Sequence, residues 1–386
     1  NLMIPYGKQD ITQDDIDAVI EVLQSNFLTQ GPAVPGFENK IAHHVGADHA
    51  IAFNSATSAL HAACLALGLG PGDWLWTSPI SFVASANCGL YCGAQVDFVD
   101  IDPSTFNICP NAFAAKLQLA KQNNVLPKVL VLVHMCGHPS DLEEISALAK
   151  RYSIKLIEDA SHAIGAKYNN QSIGDCSYSD ITIFSFHPVK IITTGEGGMA
   201  LTNLDHLADK MLLLRTHGIT REIEKMSHSD GPWYYQQIAL GFNYRMTDIQ
   251  AALGISQCDR LESYVTKRNE IANCYHEALS GLPLQTPKIQ KNSYSAYHLY
   301  IIRLDLQNIS SSRHDIFVRL RESGIGVNLH YIPIHLHPYY QNLGFKEGAF
   351  PNAESFYSEV ISLPIFPTIT DLELAEVVQK LEMALS

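Results

Sequence analysis

Lys190 sits in the run Phe184-Ser-Phe-His-Pro-Val-Lys190-Ile-Ile-Thr-Thr-Gly-Glu-Gly-Gly198. An apolar, β-rich stretch ends there, and a lysine follows in a loop dense with small and hydroxyl residues. At a strand end such a lysine can be desolvated, which lowers its pKa and makes the free amine a nucleophile and a proton carrier. Gly195, Gly197 and Gly198 let backbone approach a bulky ligand closely. The chemistry this arrangement suits is a Schiff base. The competing reading is a surface lysine beside a turn, and this segment alone does not decide between them.

Four further segments carry candidate groups. Leu156-Ile-Glu-Asp159-Ala-Ser-His162 puts an acid just past the end of an apolar strand, the edge at which open α/β sheets bind ligands. The pyridine ring of pyridoxal phosphate (PLP) needs a carboxylate near its nitrogen, to keep that nitrogen protonated and the ring electron-withdrawing. Asp159 is the candidate, with Glu158 alternating to the other face; a helix N-cap is its alternative use. Phe53-Asn-Ser-Ala-Thr57-Ser58 follows a strand and opens a helix, where amides and hydroxyls can hold an anion such as the cofactor phosphate. Thr57 and Ser58 are candidates, with Ser185 a third hydroxyl, although on this segment alone ordinary capping is the better reading. Phe82, after a strand and a Pro turn, can overhang the sheet edge and stack on a ring, although for a lone aromatic core packing is the better reading. Asn243 and Arg245 approach the start of a strongly periodic helix and can address a phosphate or carboxylate; a capping start at Thr247 and Asp248 is the plainer reading. The order of these signals along the chain makes the case that none makes alone.

The elements that must position these groups follow a strand–helix rhythm. Strands are expected at Ala50–Phe53, Trp74–Trp76, Gln95–Val99, Lys128–His134, Ile154–Ile157, Ile181–Phe186 and Met199–Thr202. Helices are expected over 12–24, with Ile16, Val19, Ile20 and Leu23 at helical spacing, near 36–45, and over Ser58–Leu67, Asp141–Tyr152 and Thr247–Leu261, the last continuing into a second helix to about Ser280. Such alternation predicts an α/β fold with a mostly parallel sheet. Residues 1–260 are expected to form an N-terminal segment and a large domain. Residues 261–386 are expected to form a smaller α/β domain, with strands near Tyr297–Leu304 and Gly326–Asn328 and helices near 313–323 and 371–385.

Composition narrows the function classes. The chain has 386 residues, 46% hydrophobic and 17% charged, a globular mix with length for two domains. Its net charge of −13 and lack of a basic cluster argue against nucleic acid, and no apolar run approaches the ~20 residues of a membrane helix. Eight scattered cysteines without a CxxC pair, and no charged-then-apolar leader, lead to the expectation of a cytoplasmic protein with reduced thiols. Gly68-Leu-Gly-Pro-Gly72 follows a helix rather than a strand, which opposes a dinucleotide fold. His330, His335 and His337 on a Pro-broken segment make a weak metal set, and no metal is expected.

With these segments in order, the chain resembles the sugar aminotransferases often called the DegT/StrS family. The resemblance runs from about Ile4 to the C-terminus and rests on Glu158-Asp159-Ala-Ser-His162, Phe184-Ser-Phe-His-Pro-Val-Lys190 and Gly195-Glu-Gly-Gly198. It implies a PLP-dependent transferase fold of type I, with Lys190 carrying the cofactor and Asp159 paired with the ring nitrogen. Thr57, Ser58 and Ser185 match phosphate ligands, and Phe82 matches the stacking position, where several relatives use His or Trp. His162 lies beside the cofactor, and Asn243 matches a phosphate ligand donated by the other subunit of a homodimer with shared sites. Some relatives with His at the lysine position are dehydratases, so Lys190 favours transamination over a dehydratase. A regulatory sensor is the other alternative, and the expectation of no DNA-binding segment before Met3 opposes it. Leu28-Thr-Gln-Gly31, Pro79-Ile-Ser-Phe-Val-Ala84 and Val327-Asn-Leu-His330-Tyr331-Ile-Pro333 resemble the family members of pseudaminic acid synthesis. Those members aminate C4 of a UDP-linked 4-keto-6-deoxy-HexNAc of L-altro configuration (UDP-4-keto-6-deoxy-L-AltNAc) with L-glutamate. Tyr6, His330 and Tyr331 are then the expected substrate contacts.

Overall fold

Strands buried on both faces read as apolar runs, and most of the seven strands that pair into one sheet are of this kind, the edge strand Gln95–Phe98 alternating exposed and buried residues instead. In the computed structural model, which describes residues 3–386, they are β1 (His49–Phe53), β2 (Trp74–Thr77), β3 (Gln95–Phe98), β4 (Val129–Val133), β5 (Lys155–Asp159), β6 (Ile181–Ser185) and β7 (Gly198–Thr202). Their order is β1-β7-β6-β5-β4-β2-β3. Only β7 runs against its neighbours; the other pairings are parallel. All seven coincide with expected strands, and the mostly parallel α/β sheet is the expected one.

Helices α1 (Gln13–Gln24) and α2 (Ala33–Val45) precede the sheet; α3 (Ala56–Ala66), α4 (Ala84–Tyr91), α5 (Pro110–Gln122) and α6 (Leu142–Arg151) cross between strands; α7 (Asp205–Arg215), α8 (Asp248–Cys258) and α9 (Leu261–Ala278) follow. Side chains of β4 alternate between two cores, Val129 and Val131 on one face, Leu130 and Leu132 on the other. Helices α4, α5 and α7 lie outside the expected set. In α4 the buried residues Ala84, Ser85, Ala86, Cys88 and Gly89 are small and give no apolar stripe. Helix α5 does carry one, Phe113, Leu117 and Ala120, behind a Pro at its first position, so its signal was present.

Helix α1 departs from its pattern in another way. Ile16, Ile20 and Leu23 are 44%, 42% and 54% exposed, whereas Asp15 is fully buried. Asp15 accepts hydrogen bonds from Arg260 (2.6 Å) and Gln257 (2.8 Å), which fastens the helix to α8 and turns its apolar stripe outward.

The C-terminal part holds a three-stranded antiparallel sheet of β8 (Leu284–Gln285), β9 (Tyr300–Leu304) and β10 (Val360–Leu363), with α10 (Arg313–Glu322), α11 (Pro338–Asn342), α12 (Pro351–Glu359) and α13 (Asp371–Leu385). The expected strand at Gly326–Asn328 is replaced by a two-residue pairing of Ile325–Gly326 with Ile4–Pro5. A Cβ on Gly326 would come within 2.7 Å of the Ile4 carbonyl oxygen, so glycine lets the N-terminal segment lie there and bring Tyr6 toward the sheet edge. Helix α9 sends Leu261, Tyr264 and Val265 into the core under the large sheet, and Ile271, Ala272 and Tyr275 into the C-terminal core. Among the described residues no helix is long and apolar enough to cross a membrane.

Candidate active site

A cleft of about 460 Å³ opens at the C-terminal ends of β4, β5 and β6, within the range of small-ligand sites. Its sheet side is lined by Thr57, Phe82, Asp159, His162, Ser185 and Lys190, and its opposing wall by Tyr6, His330 and Tyr331. Two candidates stand apart. Ser58 is buried behind the cleft, its hydroxyl 2.6 Å from Asn54 Oδ1 and 2.9 Å from the Ser55 carbonyl. Asn243 is exposed and lies outside the cleft of its own chain, where its carbonyl accepts from Asn54 Nδ2 at 3.3 Å.

Lys190 follows β6 in a loop closed by backbone bonds from Phe186 N–H to the Gly197 carbonyl (2.9 Å) and from Thr194 N–H to the Phe186 carbonyl (3.0 Å). Burial pulls its ammonium down to about 8, and Asp159 opposes that fall. The amine is therefore substantially neutral at mildly alkaline pH, ready to act as a nucleophile.

Asp159 ends β5. Its Oδ2 accepts from Ser85 Oγ at 2.6 Å, and its Oδ1 accepts from Ser161 Oγ at 2.6 Å and Ser161 N–H at 3.2 Å. These serines were not among the candidates. Ser161 stands two residues on in an Asx turn, a pattern readable in sequence; Ser85 arrives from α4, with no local signal. Glu158 points the other way. Burial pushes its carboxyl up, but His134 and the hydroxyls of Ser179 and Thr182 outweigh that and hold it below the usual value.

A cradle able to hold an anion is built by α3. Ser55 caps it, accepting from Ser58 N–H at 3.1 Å, and the first-turn amides have no partner within the helix. Ser55, Ala56, Thr57 and Ser185 line this end of the cleft. Gly198 makes the close approach possible. It pairs with Phe53 on one side and Ser185 on the other, and a Cβ there would lie 2.5 Å from the Ser55 carbonyl carbon and oxygen. Gly198→Ala should therefore cost about 1–3 kcal/mol and loosen the cradle. Thermal unfolding should start earlier and PLP should bind more weakly; an unchanged variant would mean that the turn yields freely.

His162 Nδ1 accepts from Cys136 N–H at 3.1 Å, and its Nε2 lies 3.1 Å from the Tyr331 hydroxyl. Burial, then the charge of Lys190, holds it well below the usual histidine pKa. His330 is drawn to about 3 by burial and Lys190, and its Nδ1 lies 2.8 Å from Ser362 Oγ. His298 also lines the cleft, its ring centroid 4.4 Å from that of His162, and sequence reasoning missed it. Phe82 is 59% exposed at the cleft edge, an aromatic face free to cover a planar ring. An amine, an acid, an anion cradle and an open aromatic face around one cleft fit PLP.

The family model for "DegT/DnrJ/EryC1/StrS aminotransferase family" matches residues 9–382. A UDP-4-amino-4,6-dideoxy-N-acetyl-beta-L-altrosamine transaminase of Campylobacter jejuni is 39% identical over 363 residues, 94% of this chain and 92% of that protein. Among solved structures, Helicobacter pylori PseC, an aminotransferase involved in the biosynthesis of pseudoaminic acid, has a TM-score of 0.91 at 32% identity, covering 99% of each chain. A protein from Streptococcus pneumoniae described as a sugar aminotransferase, in its PMP form, has a TM-score of 0.90 at 28% identity, covering 99% of this chain and 98% of its own. The chain belongs to the DegT/DnrJ/EryC1/StrS aminotransferase family and is a PLP-dependent sugar aminotransferase of fold type I.

Proposed function

We propose that the protein transfers the amino group of L-glutamate to the C4 keto group of a UDP-linked keto-deoxy sugar, UDP-4-keto-6-deoxy-L-AltNAc. The observation that carries the substrate is the near full-length likeness to a UDP-4-amino-4,6-dideoxy-N-acetyl-beta-L-altrosamine transaminase. The cofactor, when bound, supplies an electron sink for the charge left on a carbon that loses its proton. Lys190 would anchor it and, as a free amine, would carry a proton to and from the reacting carbon. Asp159, fixed by Ser85 and Ser161, keeps positive charge on the ring nitrogen. Thr57, Ser185 and the α3 amides hold the phosphate, with Ser58 bracing the cradle from behind. Phe82 covers the ring. Tyr6, His330 and Tyr331 face the sugar.

The test is mass spectrometry of products from a panel of UDP- and dTDP-linked keto-sugars with glutamate. Amination of the L-altro UDP sugar at C4 in preference to the others is expected; preference for another sugar overturns the assignment.

The same proposal makes the working unit a cytoplasmic homodimer, each chain divided into residues 1–260 and 261–386. Support for a partner is the outward apolar stripe of α1, together with Trp233 and Leu240, exposed by 70% and 79%. Asn243 would complete the partner's phosphate site. Lys190→Ala and Asn243→Asp homodimers should each be inactive, and dissociating, mixing and reassociating them should return about a quarter of wild-type rate, since half the dimers hold one intact site. No recovery while hybrids form removes Asn243 from a shared site.

A further inference from the structure

The hydrogen-bond chain through His162 has a fixed direction. The Cys136 backbone N–H can only donate, so His162 Nδ1, 3.1 Å away, carries no proton. The ring is neutral, buried beside Lys190, His330, His138 and His298. A neutral imidazole without a proton on Nδ1 has one on Nε2, and that proton goes to the Tyr331 oxygen at 3.1 Å. Tyr331 is thus an acceptor toward His162, and its own proton must point elsewhere. Among the described residues no protein acceptor is placed to take it, while the side chain lines the cleft. Burial raises the Tyr331 pKa far above the ordinary value, with Cys136, Tyr6 and Asp159 acting in the same direction, so the phenol keeps its proton. Its ring stands 6.5 Å from that of Phe82, on the wall opposite the cofactor cradle.

We propose that Tyr331 is a one-way hydrogen-bond donor to the carbonyl oxygen of the keto-sugar, and that His162 is the positioning residue that aims it. This rests on the keto-sugar reading above, gives its Tyr331 a specific role and brings in His162: Tyr331 recognises the oxygen that the reaction removes, and His162 takes no proton from substrate.

The test compares binding of the UDP keto-sugar with that of the same sugar bearing CH2 in place of the keto group, by calorimetry on holoenzyme without amino donor. Wild type should favour the keto form by about 10-fold, and Tyr331→Phe should bind both alike. His162→Leu should lose the preference too, whereas His162→Gln, whose amide can accept from Cys136 and donate to Tyr331, should regain most of it. In protein labelled with nitrogen-15 histidine, the His162 signal should show its proton on Nε2. Tyr331→Phe should also lower kcat/KM for the keto-sugar by about 100-fold. A Tyr331→Phe or His162→Leu variant that keeps the preference, or a His162 proton on Nδ1, overturns the proposal. So does a Tyr331→Phe change in cofactor absorption or loading before sugar is added, which would move the contact to the cofactor. If wild type turns over none of the keto-sugars, the substrate reading fails instead, and the histidine spectrum still reports on the hydrogen-bond direction.

Discussion

Replacing Lys190 with alanine should lower transamination by on the order of 10,000-fold, because on the proposed reading one side chain is both anchor and proton carrier. PLP should still be held by the cradle and by Asp159, more weakly, since those contacts do not depend on the amine. Borohydride treatment of the wild-type holoenzyme should fix the cofactor permanently, and peptide mapping should place its mass on the peptide containing Lys190. The structural reason is the setting of the amine. It follows β6 in a closed loop, burial brings its pKa to about 8, and Asp159 shares the cleft with it. A labelled peptide carrying another lysine, or a Lys190→Ala variant with normal turnover, would overturn the central assignment.

The inner strands of the large sheet were legible because they are largely buried on both faces, which leaves short apolar runs bounded by turns; the edge strand Gln95–Phe98 was expected buried but alternates exposed and buried residues. Helix α4 was not, because small residues pack closely without writing an apolar stripe. The stripe of α1 was read, but periodicity reports an apolar face without naming what meets it; the pairing of buried Asp15 with half-buried Arg260 decides its direction, and only the folded chain shows that. The site divides in the same way. Asp159 ends one strand and Lys190 lies in the loop after another, both inside recognisable runs. Thr57 and Ser58 are adjacent hydroxyls at one helix start, and the sequence cannot tell which faces the ligand; the capping box takes Ser58. Ser85 and His298 reach the cleft from segments with no local signal, so their placement is a consequence of tertiary structure alone.

Asp159→Asn should leave the fold intact and lower turnover roughly 100- to 1,000-fold. The amide nearly matches the carboxylate in shape, and the hydroxyls of Ser85 and Ser161 can rotate to meet it. What disappears is the negative charge, and with it, on the proposed reading, the means of keeping the ring nitrogen protonated. A second consequence separates this loss from a simple binding defect. In the cofactor-free protein, burial lowers the Lys190 pKa and Asp159 raises it, for a result of about 8. Removing Asp159 leaves burial unopposed, so the pKa must fall further and a larger share of the amine is neutral at pH 7. The pH midpoint for capture of PLP by Lys190 should therefore move down in Asp159→Asn, with capture at neutral pH no slower for lack of free amine, even as turnover collapses. An upward or absent shift would mean that Asp159 does not act on Lys190 in this way, and near-normal turnover at full cofactor loading would remove Asp159 from the ring nitrogen.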